Sequence, residues 1–400
     1  MTMPRVRCES ALLVAIMLSV QVPIASAQHF DSTITRVVAP GVVHRRLVVN
    51  STPWTINVVS VDLRHAGARL IVAPATDSSR GRTTVPDIAR HYAAQGDRVL
   101  AAINADFFHT STGEVVNNEV IGGEIWHALR VTDSPYDPVH AVHSQLAITA
   151  SGRPVIEQFA LDGNVIDGAG HLTPIAAINF PAETAGVVLF TSRIGATTPR
   201  DSGTRHVVEL PLLRTGEHFD TVLYRVAGPA RPGGGTPINH GAVLSVRAPF
   251  ARLLARLSDT GIVRVVTALR PSRGALASLT GGWPRLVAHG RSITDSIERL
   301  EGVTDSFSLQ RHPRTGFGVS RDSGTVYLVV VDGRQKSSAG MSLPEFANLM
   351  VTLGIYDGIN FDGGGSTTML VNGAIVNHPS DSVGVRAVAN ALLVVVPRRP

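Results

Sequence analysis

Between residues 111 and 302 the chain consists of short runs of β-favouring residues, each cut off by Gly, Pro or Asp before a long helix could form. Examples are residues 145–149, 186–191, 206–210 and 262–267. With 38 glycines and 24 prolines in 400 residues, this punctuation restricts the chain to many short strands and few helices. The flanks follow the same rule. Residues 42–70 carry continuous and alternating β-branched runs, and residues 99–103 form a short apolar run suited to a buried strand. Residues 316–320 and 325–331 read as paired strands around an Arg-Asp-Ser-Gly turn, and residues 368–371 and 389–396 read as closing strands. Three helices are predicted. Residues 85–94 follow a Thr-Thr pair and carry Pro86 near their start, residues 250–257 form a shorter one, and residues 342–353 place Leu343, Phe346, Ala347, Met350 and Leu353 on one stripe behind a Ser342/Glu345 capping box. The expected fold class is α+β: a mixed, strand-rich body with a few helices.

Residues 1–27 have the form of a secretory signal: Arg5 and Arg7, an apolar run from 11 to 20, and Ala25-Ser26-Ala27 as a small-residue cleavage site. The expected domain plan is therefore a signal at 1–27, an N-terminal strand-rich segment at 28–96, and a catalytic domain at 97–400 with a β-rich insertion at 205–275. The single cysteine, Cys8, lies inside the leader, so the mature chain is expected to use neither disulfides nor a cysteine metal site. An exported chain of this length without thiols must rely on a large core, which points to a bacterial, secreted or periplasmic protein. The formal charge of +5 is carried almost wholly by scattered arginines, and no basic run alternates with aromatics, so a nucleic-acid partner is not expected. No later run is long and apolar enough to predict a membrane span.

Four polar clusters sit at the ends of apolar strand runs: Asn104 with Asp106, Arg314-Thr315, Asp332-Gly333-Arg334, and Asp362-Gly363-Gly364-Gly365-Ser366-Thr367-Thr368. The last is the most informative. Glycines let the backbone approach a ligand, and consecutive amides can cradle an anion beside the Asp362 carboxylate. Taken singly, each cluster also reads as a turn, a cap or a surface ion pair. Strand ends converge in space, so together the four can share one cleft.

The order and wording of these pieces resemble the phosphodiester glycosidase family. The matching segments are Ala101-Ala102-Ile103-Asn104-Ala105-Asp106-Phe107-Phe108, Gly122-Gly123-Glu124, Pro313-Arg314-Thr315-Gly316-Phe317-Gly318, Val331-Asp332-Gly333-Arg334, residues 359–373, Pro379-Ser380-Asp381 and Arg386-Ala387-Val388-Ala389-Asn390-Ala391. The family usually has glycines where this chain has Ala105-Asp106. The resemblance implies hydrolysis of a sugar linked through its anomeric carbon to phosphate. A phosphate leaving group lowers the demand for a strong general acid and raises the demand for charge stabilisation. On that reading Arg314 and Arg334 contact the phosphate, with Thr315, the amides of Gly363, Gly364 and Gly365, and the hydroxyls of Ser366 or Thr367 completing the cradle. Asp362, and after it Asp332, supplies the carboxylate facing the sugar. Asn104 orients a sugar hydroxyl, and Asp106 is an added carboxylate at the substrate end.

No cofactor is required by this chemistry. Asp357, Asp362 and Asp381 could hold a structural calcium with backbone oxygens, although no ligand loop of recognisable spacing is present. His140 and His143 have helical spacing but lie beside Pro138, which favours a solvated loop over a metal pair. His109, His127, His312 and His378 are scattered near the supposed site, and Phe107, Phe108 and Trp126 read as core before they read as sugar platforms. The expected partner is a carbohydrate or glycoconjugate. A glycosidase acting on non-phosphorylated polysaccharide, or a non-catalytic carbohydrate-binding envelope protein, would use the same cleft.

Overall fold

The computed structural model describes residues 29–131, 142–181, 186–200, 207–218, 220–239, 241–247 and 250–398. The proposed leader, Cys8, Pro138 and His140 lie outside them. About half of the described chain is strand, arranged in three large sheets. The first is an eight-stranded antiparallel sheet in the order Ser32–Ala39, Val42–Val49, Trp54–Asp62, Thr325–Val331, Arg314–Val319, Asp357–Phe361, Arg285–Ala288, Arg291–Ser292. The second has five strands, Ala374–Ile375, Met369–Val371, Asp97–Asn104, Asn390–Pro397 and Arg69–Pro74. Strands from the first hundred residues thus pair directly with strands from the last hundred.

The third sheet contains a closed ring. Its strands follow the order Leu172–Ile178, Ala160–Ile166, Ile262–Arg270, Thr221–Val226, Val207–His218, Gly241–Arg247 and Val187–Thr191, and the last pairs in parallel with the first. Closure removes the edges that an open sheet would expose. Inside it lies a core of Leu161, Val165, Ile175, Leu189, Leu210, Leu212, Leu244, Val246 and Val265. The β-rich body therefore takes in strands from 160–191 as well as from the 205–275 stretch.

Helices are few, as the sequence predicts. Val85–Ala93 is capped by the Thr84 side chain, and Leu343–Thr352 by a capping box between Ser342 and Glu345. The second of these buries Leu343, Phe346, Ala347, Leu349 and Met350 against the eight-stranded sheet in a core shared with Val329, Val331 and Ile355. Ala251–Thr260 packs Leu253, Leu254 and Leu257 into the ring. The α+β expectation is met in its coarser sense, a strand-dominated body with a few helices. Among the described residues no helix is long and apolar enough to cross a membrane.

Candidate active site

Strands Arg314–Val319 and Asp357–Phe361 pair antiparallel along their length, with Thr315 opposite Phe361, so the chain enters the first and leaves the second at the same end. The turn at residues 362–368 passes from there to strand Met369–Val371 of the five-stranded sheet, beside strand Asp97–Asn104. The four polar clusters predicted to converge are joined here by direct contacts.

Asn104 is the pin. Its Nδ2 donates to the Asp362 carbonyl at 2.6 Å, while its Oδ1 accepts from the Thr315 hydroxyl at 2.9 Å and from the Thr368 amide at 3.1 Å. It is 1% exposed, so its amide is turned to holding the turn and does not face a ligand. Thr315, which bonds it, is likewise buried. The Asp362 amide donates to the Ala105 carbonyl, and the Gly364 amide to the Pro313 carbonyl, both at 2.9 Å.

Glycine is required at this turn for two different reasons. A Cβ at Gly363 would lie 2.6 Å from the Pro313 carbonyl oxygen, which is backbone and cannot yield. At Gly364, where φ is +60°, a Cβ would lie 3.1 Å from Arg334 Nη2, and at Gly365 it would meet the Arg386 guanidinium more closely still. Two arginines therefore lie against the turn. Arg334 reaches it from a left-handed backbone position, φ +61°, at an exposed corner, and its Nη2 donates to His312 Nδ1 at 3.3 Å. Arg386 is fixed by an ion pair with Asp381 at 2.5 Å.

Asp362 remains partly open, in a recess that nonetheless pushes its carboxyl up to about 6 by burial. The positive charge of Arg386 opposes that rise. The Ser366 hydroxyl lies beside the carboxylate, close enough to oppose it too, yet makes no hydrogen bond of regular geometry. Thr367 and Thr368 also bury hydroxyls without a partner among the described residues. Asp332 is 4% exposed, and burial raises it as well. Its Oδ1 accepts from the His378 amide at 2.9 Å and from Asn377 Nδ2 at 3.2 Å, and the same Nδ2 reaches the Thr367 carbonyl at 3.1 Å. Asn377 thus ties the second aspartate to the glycine turn.

Arg314 shares this neighbourhood but faces the other way. It is 2% exposed, donating from Nε to the Met341 carbonyl and from Nη2 to the Gln310 carbonyl, each at 2.8 Å, above the Phe307 ring. Burial lowers it to about 10, so it stays cationic at neutral pH. Its position next to the turn follows from the sequence, whereas the direction of its side chain does not.

Asp106 is buried behind the turn rather than at its mouth. Its carboxyl accepts from the Asn117 side chain at 2.7 Å and the Asn117 amide at 3.2 Å, and its own amide donates to Asn390 Oδ1. Asn390 Nδ2 in turn donates to Glu119 at 2.8 Å. Burial pushes Asp106 up to about 8 and Glu119 up to about 7. His127 nearby donates from Nδ1 to the Asn117 carbonyl at 2.8 Å and is pushed down to about 4 by burial. His109 and His127 flank Phe180, and Phe107 packs on Trp283 and Phe307, so these rings belong to the interior. Trp126 is covered by Arg193, whose guanidinium sits 4.5 Å from the ring centre. His143 is stacked on Trp283. Asp357 pairs with Arg285 and Asp381 with Arg386, and no group of three His, Cys, Asp or Glu able to hold a metal occurs among the described residues.

Sequence reasoning left Arg386, Asn377 and Asn390 unassigned. Arg386 and Asn390 lie inside a quoted motif, but only the fold shows one against Gly365 and the other beneath Asp106.

Residues 217–395 match the family model described as Phosphodiester glycosidase. The chain is 33% identical over 106 residues to the SPbeta prophage-derived uncharacterized protein YomE of Bacillus subtilis (strain 168), covering 26% of this chain and 16% of that protein. It is 40% identical over 68 residues to the N-acetylglucosamine-1-phosphodiester alpha-N-acetylglucosaminidase of Bos taurus, covering 17% of this chain and 12% of that protein. These alignments span less than two thirds of either relative's length. A crystal structure of a hypothetical protein from Synechocystis shares the fold, with a TM-score of 0.72 at 22% identity over 92% of this chain and 64% of that one. The family match takes in Arg314, Asp332, Arg334, Asp362 and Arg386, and leaves Asn104 and Asp106 outside it. The family that residues 217–395 match is thus the one that the motifs of the sequence resemble.

Proposed function

We propose that the glycine turn is the anion end of a site that hydrolyses a sugar-1-phosphodiester on the sugar side, in an exported protein. The observation that carries this reading is the pair of guanidinium groups, Arg334 and Arg386, laid against Gly364 and Gly365 next to the Asp362 carboxyl. Positive charge at the turn, from Arg386 held by Asp381 and from Arg334 at the exposed corner, stabilises the negative charge that grows on a departing phosphate. On this reading Asp362 supplies the carboxylate that faces the sugar, either activating water or attacking the anomeric carbon. With its pKa near 6 it is ionised at neutral pH. Asp332, held by Asn377 and the His378 amide, adds negative charge on the same flank, and Asn104 is a positioning residue that fixes the Asp362 backbone.

Hydrolysis of sugar-1-phosphate diesters, compared with 4-nitrophenyl glycosides of the same sugars, tests the reading. Arg334→Ala and Arg386→Ala should each lower kcat/KM for the diester by roughly 100-fold, about 2.7 kcal/mol, while changing the neutral glycoside less than about threefold. Equal loss on both substrate classes would overturn it.

A further inference from the structure

The Gly122-Gly123-Glu124 motif and the open end of the seven-stranded ring play no part in the site above. They coincide. Helix Ala251–Thr260 leaves the end of strand Gly241–Arg247 and fills that end of the ring with Leu253, Leu254 and Leu257. At the other end the ring opens into a cavity of about 970 Å³, with the Gly122-Gly123 turn and Glu124 on its rim. Strand Glu119–Ile121 begins at Glu119, which accepts from Asn390, and runs to the Gly122-Gly123 turn on the cavity rim.

The lining specifies a ligand chemistry. Val222 and Val265 give an apolar floor, and Asp220, Asn239 and Tyr224 give polar walls. The arginine that lines the cavity, Arg214, is ion-paired with Glu217, and Glu124 is ion-paired with Arg193. The lining thus sets one arginine against three carboxylates, Glu124, Glu217 and Asp220, and this excess of negative charge repels an anion. Tyr224 is 7% exposed overall and packs its ring into the core of the barrel. Tyr224 lines the cavity, so its hydroxyl is placed to bond a hydroxyl that enters there in place of water.

We propose that this end of the ring is a carbohydrate-binding subsite for uncharged sugar units, in which Tyr224, Asp220 and Asn239 bond hydroxyls while the valine floor takes the CH face. It shares a ligand class with the active-site reading and does not require the glycine turn to be catalytic.

The test uses the full chain carrying Asp362→Asn, so that no probe is turned over. Maltotriose, cellotriose and di-N-acetylchitobiose are titrated by calorimetry and by saturation-transfer NMR, with glucose 1-phosphate and inorganic phosphate as charged comparators. At least one neutral probe should bind saturably, and Tyr224→Phe and Asp220→Asn should each weaken it roughly tenfold with the melting temperature unchanged. Val222→Trp, which fills the floor, should abolish it. Absence of saturable binding by all three neutral probes overturns the proposal, as does binding indifferent to all three cavity variants. Tighter binding of phosphate than of the sugars, lost in Tyr224→Phe, also overturns it. Hydrolysis is read separately in the chain with Asp362 intact, so a failure of the active-site reading is recognised independently.

Discussion

Asp362 and Arg314 lie within a few residues of the same turn, yet substituting them should have opposite kinds of consequence. Asp362 is partly open, and its carboxyl is raised to about 6 by burial. If it acts as an ionised base or nucleophile, the rate should rise with pH through about 6 and level off above 7. Asp362→Asn should remove that limb together with at least 1,000-fold of kcat while leaving substrate affinity within a few fold; an unchanged profile in the variant would exclude the assignment. Arg314 is enclosed, with its guanidinium on two backbone carbonyls. Arg314→Ala leaves both carbonyls without their donors and opens a void over Phe307, so it should cost about 3–5 kcal/mol in denaturant unfolding. A selective loss of diester turnover with stability intact would instead put Arg314 in contact with the phosphate.

The glycine turn works as an element because each glycine meets a different neighbour. A methyl group at Gly365 points at the guanidinium end of the Arg386 side chain, whereas one at Gly363 points at the Pro313 carbonyl. Gly365→Ala should therefore displace Arg386 and lower diester kcat/KM roughly tenfold with little change in Tm, while Gly363→Ala should distort the turn and destabilise the fold by about 1–3 kcal/mol. Calorimetry on the two variants separates these outcomes, and equal Tm losses would mean that Arg386 is not free to yield. Local signals made most elements legible. The Ser342/Glu345 box and the apolar stripe mark helix Leu343–Thr352, and the β-branched run marks strand Thr325–Val331. Ring closure was not legible, because it depends on Val187–Thr191 pairing in parallel with Leu172–Ile178, a contact that no local pattern encodes. The same distinction holds in the site. Asp362 and its glycines announce themselves as a motif, but Arg386 is positioned by Asp381 and by the absence of a side chain at Gly365, and neither effect is visible in the residue itself.

At the scale of the whole molecule, the five-stranded sheet meets the thirteen-stranded one across a buried polar cluster instead of a purely apolar seam. Asn390 from the former accepts the Asp106 amide and donates to Glu119 and Thr280 of the latter. Asp106 and Glu119 are both buried, and the charge of Glu119 helps to raise Asp106. Glu119 has its pKa raised from 4.5 to about 7, chiefly by burial, which fixes the sign of its contribution to stability. Between those values the folded state keeps a proton that the unfolded chain has released, so the stabilisation is fully present below 4.5 and is lost as pH rises through 7. Glu119→Gln retains an acceptor for Asn390 Nδ2 and cannot ionise. It should match the parent protein near pH 4.5 and exceed it by roughly 2–3 kcal/mol at pH 8, a Tm gain of about 2–4 °C for a chain of this size. The difference between variant and parent isolates this carboxyl from His127, whose depressed pKa acts in the opposite direction over the lower part of the range. Thermal melts at pH 4.5, 6 and 8 decide the matter: a gap that widens steadily with pH means that the sheet junction holds a protonated carboxyl in acid, and a constant gap means that Glu119 is ionised in the fold at every pH.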